Sequence, residues 1–183
     1  MTKENTLQYI LLGLLAKQDL TGYDIKKLFE QEVGDFWFAR HSQVYPELRK
    51  MEKSGMITAL PCASEAKRQK TYYHLAPAGH RKLLEWLAQP LGTMTPTRDE
   101  FTMKMYLIRS RQDPRLRTLL QADIHRHEER LAHLQFRWQL LFSKEEDRET
   151  NFGHALILQE AIQRETRKLE WEKQQLEMLS KDK

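Results

Sequence analysis

Only one cysteine, Cys62, occurs in the 183 residues. A lone thiol excludes an internal disulfide framework and fits a reducing compartment. Long apolar runs are missing as well: nothing approaches the roughly 18 residues that a membrane span needs. The longest stretch, Leu7 to Leu15, has the periodicity of a core helix. The opening Met-Thr-Lys-Glu-Asn lacks the charged, apolar, small-residue order of a signal peptide, so a cytoplasmic protein that contacts no membrane is expected. There is no glycine-rich phosphate loop and no readable Ser/His/Asp or Cys/His arrangement, which leaves an enzyme without support. His125, His127 and His133 lie on one predicted helix. There His125 and Glu129 share a face and His127 sits on the apolar seam, so no set of three or four ligands converges and neither metal nor cofactor is expected. Internal repeats and low-complexity segments are also lacking.

Charge of one sign is scarce overall. The net is +4, weak evidence by itself for a nucleic-acid partner. Its distribution is informative: residues 40–82 hold nine Lys/Arg against three Asp/Glu, whereas 1–39 hold four against six and 91–183 hold seventeen against sixteen. The excess falls on one segment, the electrostatic footprint of a nucleic-acid contact.

Hydrophobic spacing predicts what that segment is. Leu7, Ile10, Leu11, Leu14 and Leu15 follow the i, i+3, i+4, i+7, i+8 pattern of a core-facing helix ending near Gln18-Asp19. Thr21 caps a second helix, helped by Asp24, with Ile25, Leu28, Phe29 and Val33 as its stripe and Gly34 as its stop. After an aromatic connector, Asp35 to Phe38, Val44, Leu48 and Met51 give a third helix one apolar face. Its other face offers Ser42, Tyr45, Arg49, Lys50 and Lys53, and Gly55 ends it. Three helices in about fifty residues with short connections make a helix-turn-helix. Ile57–Leu60 and Thr71–Leu75 are β-prone runs around a polar hairpin tip, and Pro77 opens a further helix with Leu83, Leu84, Trp86 and Leu87 inward. The order α-α-α-β-β-α is a winged helix-turn-helix, placed at residues 1–88.

A linker is expected over 89–98, where two prolines and Gly92 stand, and a helical domain over 99–183. Phe101, Met105 and Ile108 share one face of its first helix. Leu120, Ile124, His127, Leu131, Leu134, Trp138 and Leu141 then form a heptad-like seam. After an acidic turn, Ala155, Leu158, Ile162, Leu169, Leu176 and Leu179 form a second, which Glu165 and Glu172 interrupt. Two helices of this length are not expected to bury both seams within one chain. A twofold homodimer is the remedy, placing two recognition helices about one DNA turn apart, roughly 34–36 Å. The fold class is therefore mainly α with a small β-hairpin wing, followed by a long-helix dimerisation domain.

The candidate DNA-binding residues are Tyr23, His41, Ser42, Gln43, Tyr45, Pro46, Arg49, Lys50, Lys67, Arg68 and Lys70. Gln43 suits adenine N6/N7, and Arg49 suits guanine or a phosphate. Tyr45 offers its hydroxyl to phosphate, and Pro46 shapes the helix entry. The three wing-tip cations suit the backbone or minor groove, while Tyr23 either touches phosphate or packs.

Particular runs carry a resemblance: Leu12-Gly13-Leu14-Leu15, Thr21-Gly22-Tyr23-Asp24-Ile25, Phe36-Trp37 with His41-Ser42-Gln43-Val44-Tyr45-Pro46-Glu47-Leu48, Arg98-Asp99-Glu100-Phe101, and Asn151-Phe152-Gly153-His154. Over nearly its whole length the chain resembles the PadR family of bacterial transcriptional regulators, and within it the phenolic-acid-responsive group. The resemblance implies a homodimeric repressor on an inverted-repeat operator in double-stranded DNA. It would silence a phenolic acid decarboxylase gene until a hydroxycinnamate such as p-coumarate or ferulate releases it. Two departures stand out. Ala76 replaces the Ser or Thr common before the post-wing helix, removing a cap at a cost of about 0.5–2 kcal/mol, and the wing tip lacks a frequent glycine. A phenolic acid needs an apolar slot with a few placed polar groups. The candidates are Trp37, Arg40, Glu100, Phe101, Lys104, Tyr106 and His154, with Glu100 for the phenol and Arg40 or Lys104 for the carboxylate. Two alternatives stand beside this reading: a repressor of the same family answering another hydrophobic ligand or stress, and a winged-helix protein-interaction adaptor.

Overall fold

The computed structural model describes residues 5–31, 33–37, 41–61, 71–93 and 99–181. The chain divides into two compact units, Met1–Met94 and Thr95–Lys183.

In the first unit, α1 (Thr6–Leu15) sends Leu11, Leu12 and Leu15 into the core. Next come β1 (Leu20–Thr21) and α2 (Gly22–Gln31), followed by a short 3-10 turn at Val33–Asp35. The start of α2 is a reciprocal cap. Thr21 Oγ accepts from the Asp24 amide at 3.1 Å, and the Asp24 carboxylate accepts the Thr21 amide at 3.0 Å and its hydroxyl at 2.6 Å. Helix α3 (His41–Lys53) buries Val44, Glu47, Leu48 and Met51. It closes in a Schellman motif: the Met56 amide donates to the Met51 carbonyl and the Gly55 amide to that of Glu52, both at 2.9 Å, with Gly55 at φ 69°.

That turn feeds β2 (Ile57–Pro61), which pairs antiparallel with β3 (Thr71–Leu75) in the register Ile57↔Leu75, Ala59↔Tyr73. The sequence pattern predicts two strands, but a third joins them. Leu20 and Thr21 pair with Tyr73 and Tyr72, giving the order β1-β3-β2. Two residues are too few to show an alternating pattern.

Helix α4 (Pro77–Leu87) begins with Pro77 at its first position and no side-chain cap from Ala76. Leu83 is buried and Trp86 stacks on Tyr9 of α1, ring centroids 4.5 Å apart. Leu84 and Leu87, expected inward, are exposed. Gly79, Leu83 and Trp86 lie close together around the helix at 100° per residue, so they form the contact face and leave those two leucines to its side.

In the second unit, α5 (Glu100–Leu107) is capped by Asp99, α6 (Pro114–Phe142) by Asp113, and α7 (Glu145–Thr150) stands where an acidic turn is expected. Helix α8 (Phe152–Lys181) returns antiparallel along α6: Arg117 bonds Ser180, Glu128 pairs with Lys173, and Phe142 meets His154. The two seams largely bury each other within the one chain, contrary to expectation, through Leu120, Ile124, Leu134, Leu158 and Leu169. Glu165 and Glu172 do not interrupt the second seam; both are buried in it. The apolar side chains left open lie on other faces, among them Tyr106, Leu107, Phe136, Leu140, Phe152 and Leu156.

Candidate nucleic-acid interface and effector region

Helix α3 presents Ser42, Gln43, Tyr45, Pro46, Arg49, Lys50 and Lys53 on one exposed side. The core fixes its roll through Val44, Leu48 and Met51, and the buried Glu47 fixes its pitch by accepting from Gln8 Nε2 of α1 at 3.3 Å. Glu47 also pairs with Lys50 at 3.6 Å. Arg49 is exposed and makes no ion pair among the described residues. Pro46 lies inside the helix rather than at its entry. Lacking an amide hydrogen, it leaves the Ser42 carbonyl without its i+4 donor on the exposed side.

Tyr45 has a neighbour that the sequence did not announce. A Cβ on Gly22 would stand 2.5 Å from Tyr45 Cε1 and 3.0 Å from Cζ. The bare glycine at the head of α2 is therefore what lets the ring lie there. Tyr73 of β3 adjoins the same patch: burial first, then the Glu52 carboxylate, push its phenol up, and Arg49 pulls it partly back. The strand shared by the sheet thus touches the electrostatic field of the recognition face. Tyr23 is exposed at the start of α2. His74 is held by Asp19 at 2.8 Å, which ties β3 to the turn before β1. The wing-tip candidates Lys67, Arg68 and Lys70, the connector residue Arg40 and the His41 side chain lie outside the described residues.

Of the effector candidates, Trp37 is exposed in the first unit. In the second, Glu100 and Lys104, assigned to opposite ends of a ligand, pair with one another at 2.6 Å, and Lys104 holds the Glu100 carboxyl below its ordinary range. Both line one cleft with buried Phe101, Leu119, Ala122, Asp123 and Arg126. On its other side Lys104 joins an apolar groove of about 630 Å³ walled by Leu107, Ile108, Pro114, Arg115, Thr118, Leu119 and Ala122. Tyr106 is exposed. His154 is not with them. It meets Phe142 edge-on at 5.2 Å, at the far end of α6. At 1.5 Å per residue this is roughly 30 Å from the cleft, too far for one small ligand of a single chain to touch both. Apart from Lys104, the groove residues are not effector candidates by sequence, because a surface hollow between two helices leaves no spacing signal.

Histidine convergence also differs from expectation. His127 meets Asp123 from its own helix and Glu172 from α8, an arrangement that single-helix spacing does not reveal.

Residues 11–85 match the Transcriptional regulator PadR-like family, and residues 97–180 match Virulence activator alpha C-term. The negative transcriptional regulator PadR of Bacillus subtilis is 35% identical over 179 residues, covering 96% of this chain and 98% of its own. The chain belongs to the PadR-like family of transcriptional regulators. The crystal structure of B. subtilis PadR with operator DNA superposes with a TM-score of 0.82 at 36% identity, over 96% of this chain and 99% of that one. The structure of the same protein with p-coumaric acid gives 0.82 at 35% identity, over 95% and 98%. The family resemblance and the winged-helix architecture with C-terminal helices are thereby borne out. These PadR-like relatives are regulators, not enzymes. Among the described residues no helix is long and apolar enough to cross a membrane.

Proposed function

We propose that the chain is a homodimeric repressor that binds an inverted-repeat operator in double-stranded DNA and is released by a hydroxycinnamic acid such as p-coumarate. The observation that carries the reading is the exposed cation- and hydroxyl-bearing side of α3, rigidly seated on the core, in a chain 35% identical to a negative regulator over nearly its full length. Residues 1–88 would act on DNA, with Gln43 and Arg49 reading bases. Tyr23, His41, Ser42, Tyr45, Lys50, Lys67, Arg68 and Lys70 would meet the backbone, which supplies affinity but little sequence choice. Pro46 would bring the Ser42 carbonyl to that surface. Residues 99–183 would dimerise through the apolar side chains left open on the helical hairpin and would respond to the effector.

For the effector, Phe101 and Lys104 of the α5 cleft supply an apolar wall and a cation, and Tyr106 stays a proposed contact. Trp37, Arg40 and His154 remain proposed contacts. An effector releases DNA only if it binds the non-operator conformation better, so its contacts must differ between the two states.

The test is selection of bound sequences from random duplex DNA, repeated with and without p-coumarate. A palindromic motif whose recovery falls with p-coumarate is expected, together with a steep linear fall of log K against log salt. Recovery of no motif and salt-independent binding would leave an adaptor role instead, and a motif indifferent to p-coumarate would assign another inducer. Lys104→Ala and His154→Ala, titrated separately, then tell which end of the helical unit holds the ligand.

A further inference from the structure

The ionisable side chains buried between α6 and α8 have no part in the proposed repressor function. Asp123 and His127, one turn apart on α6, face Glu172 of α8, and one donor atom from each lies within 4.8 Å of the others. Asp123 is 4% exposed and Glu172 0%. Asp123 Oδ2 and Glu172 Oε2 are buried without a hydrogen-bond donor, whereas Glu172 Oε1 has the Lys168 ammonium and Asp123 Oδ1 is held by Arg126. Two adjacent carboxylates in a dry seam repel one another and demand a cation or a proton.

Arg126 on Asp123 Oδ1 and Lys168 between the two carboxylates answer that demand in part. The Lys168 ammonium is 3.2 Å from Glu172 Oε1 and 4.0 Å from Asp123 Oδ2. It also stands over the Phe101 and Trp171 rings, at 4.3 Å and 5.0 Å from their centroids, so it has a second place to rest.

The imidazole is oriented as a ligand is. His127 Nδ1 lies 2.5 Å from Glu165 Oε2, and Arg130 Nε donates to the other Glu165 oxygen at 3.2 Å. A carboxylate engaged by arginine accepts only, so Nδ1 carries a hydrogen, and Nε2 is the nitrogen that faces Asp123 Oδ2, 3.5 Å away. A carboxylate behind one imidazole nitrogen, with the other nitrogen facing anionic oxygens, is how metal-bound histidines are held.

We propose that Asp123, His127 and Glu172 bind a divalent transition-metal cation between α6 and α8, with Glu165 positioning the imidazole. One nitrogen and two carboxylates suit zinc, manganese or ferrous ions better than magnesium or calcium. Three protein ligands leave a position for water, and Lys168, which already stands over the aromatic rings, gives up its contact with Glu172 when the cation enters. Because one of those rings is Phe101 of α5, metal occupancy bears on the segment next to the Glu100–Lys104 cleft.

The experiment is calorimetric titration of the chelator-treated full chain with zinc chloride, with cobalt(II) absorption as a second reading. Saturable uptake of a single ion per chain is expected. Glu172→Gln should abolish it, Glu165→Gln should weaken it about 10–100-fold, and His125→Ala, at an exposed histidine of the same helix, should leave it unchanged. Uptake that survives Glu172→Gln but not His125→Ala overturns the proposal, as does absence of uptake by the unaltered chain. The carboxylates would then be balanced by Arg126 and Lys168 alone. Should the glutamine variant fail to fold, NMR of the unaltered chain decides: cobalt must shift the His127 imidazole, and shifts confined to other histidines refute the site.

Discussion

A methyl group added at Gly79 should separate α4 from the strand it braces. Alanine in place of glycine inside a helix ordinarily stabilises by about 0.8–1.0 kcal/mol. Here the new Cβ would stand 2.2 Å from the Met56 carbonyl oxygen and 2.9 Å from Leu12 Cδ2 and Leu75 Cδ1. The leucine methyls can rotate, but the carbonyl cannot retreat freely because it accepts the Ala76 amide at 3.0 Å. Overpacking of this kind costs about 1–3 kcal/mol, and a weakened backbone hydrogen bond adds roughly 0.5–1.5 kcal/mol. The propensity gain is outweighed, and Gly79→Ala should destabilise the first unit by roughly 1–3 kcal/mol by that balance. Gly13→Ala in α1 is the matched control. Nothing lies within 4 Å of its Cβ, so the same substitution should be neutral or stabilising. Urea midpoints at constant slope give the two signs, and hydrogen exchange at the Ala76 amide localises the first to the α4 joint. A Gly79→Ala chain as stable as the parent would refute the packing argument, and with it the claim that α4 holds the wing root.

Gly22→Ala should force the half-exposed Tyr45 ring aside, weakening operator binding while the melting temperature stays within a few degrees; unchanged fluorescence anisotropy titrations would remove Tyr45 from the interface. Arg49→Ala should weaken binding by roughly 1–3 kcal/mol and relax one operator position if it reads a base, or lower the salt slope by about one if it meets phosphate. The Asp113 carboxyl is held down to about 2, chiefly by its hydrogen bonds from Arg115. A depressed folded value means that its contribution is present above the ordinary carboxyl range and is lost as pH falls towards about 2. The stability difference between the parent and Asp113→Asn should therefore shrink across that acid window, as thermal unfolding at stepped pH would reveal.

The recognition helix was legible because its two faces differ in chemistry and a glycine marks its end. Val44, Leu48 and Met51 are all buried, and Gly55 takes the positive φ expected of a helix stop. Periodicity erred where contact geometry decided. Leu84 and Leu87 fit an inward stripe by hydrophobicity, yet the close approach at Gly79 rotates α4 away from them. Glu165 and Glu172 looked like breaks in a seam, because a one-dimensional pattern assigns carboxylates to water unless their partners are visible. Those partners, His127, Arg130 and Lys168, come from another helix or from the same helix one turn away. The Gly22–Tyr45 contact was hidden for the same reason, since it joins two recognisable motifs across a gap in sequence.

The middle strand of the small sheet carries an implication for biogenesis. Leu20 pairs with Tyr73, about fifty residues further along the chain, so on a translating ribosome the segment around Leu20 emerges long before its mate. Until then its edge is open to any extended polypeptide nearby, and the reading head waits on a late, non-local closure. Slow synthesis between those two points would lengthen that exposure, making nascent-chain solubility, rather than the finished fold, the property most sensitive to codon choice there.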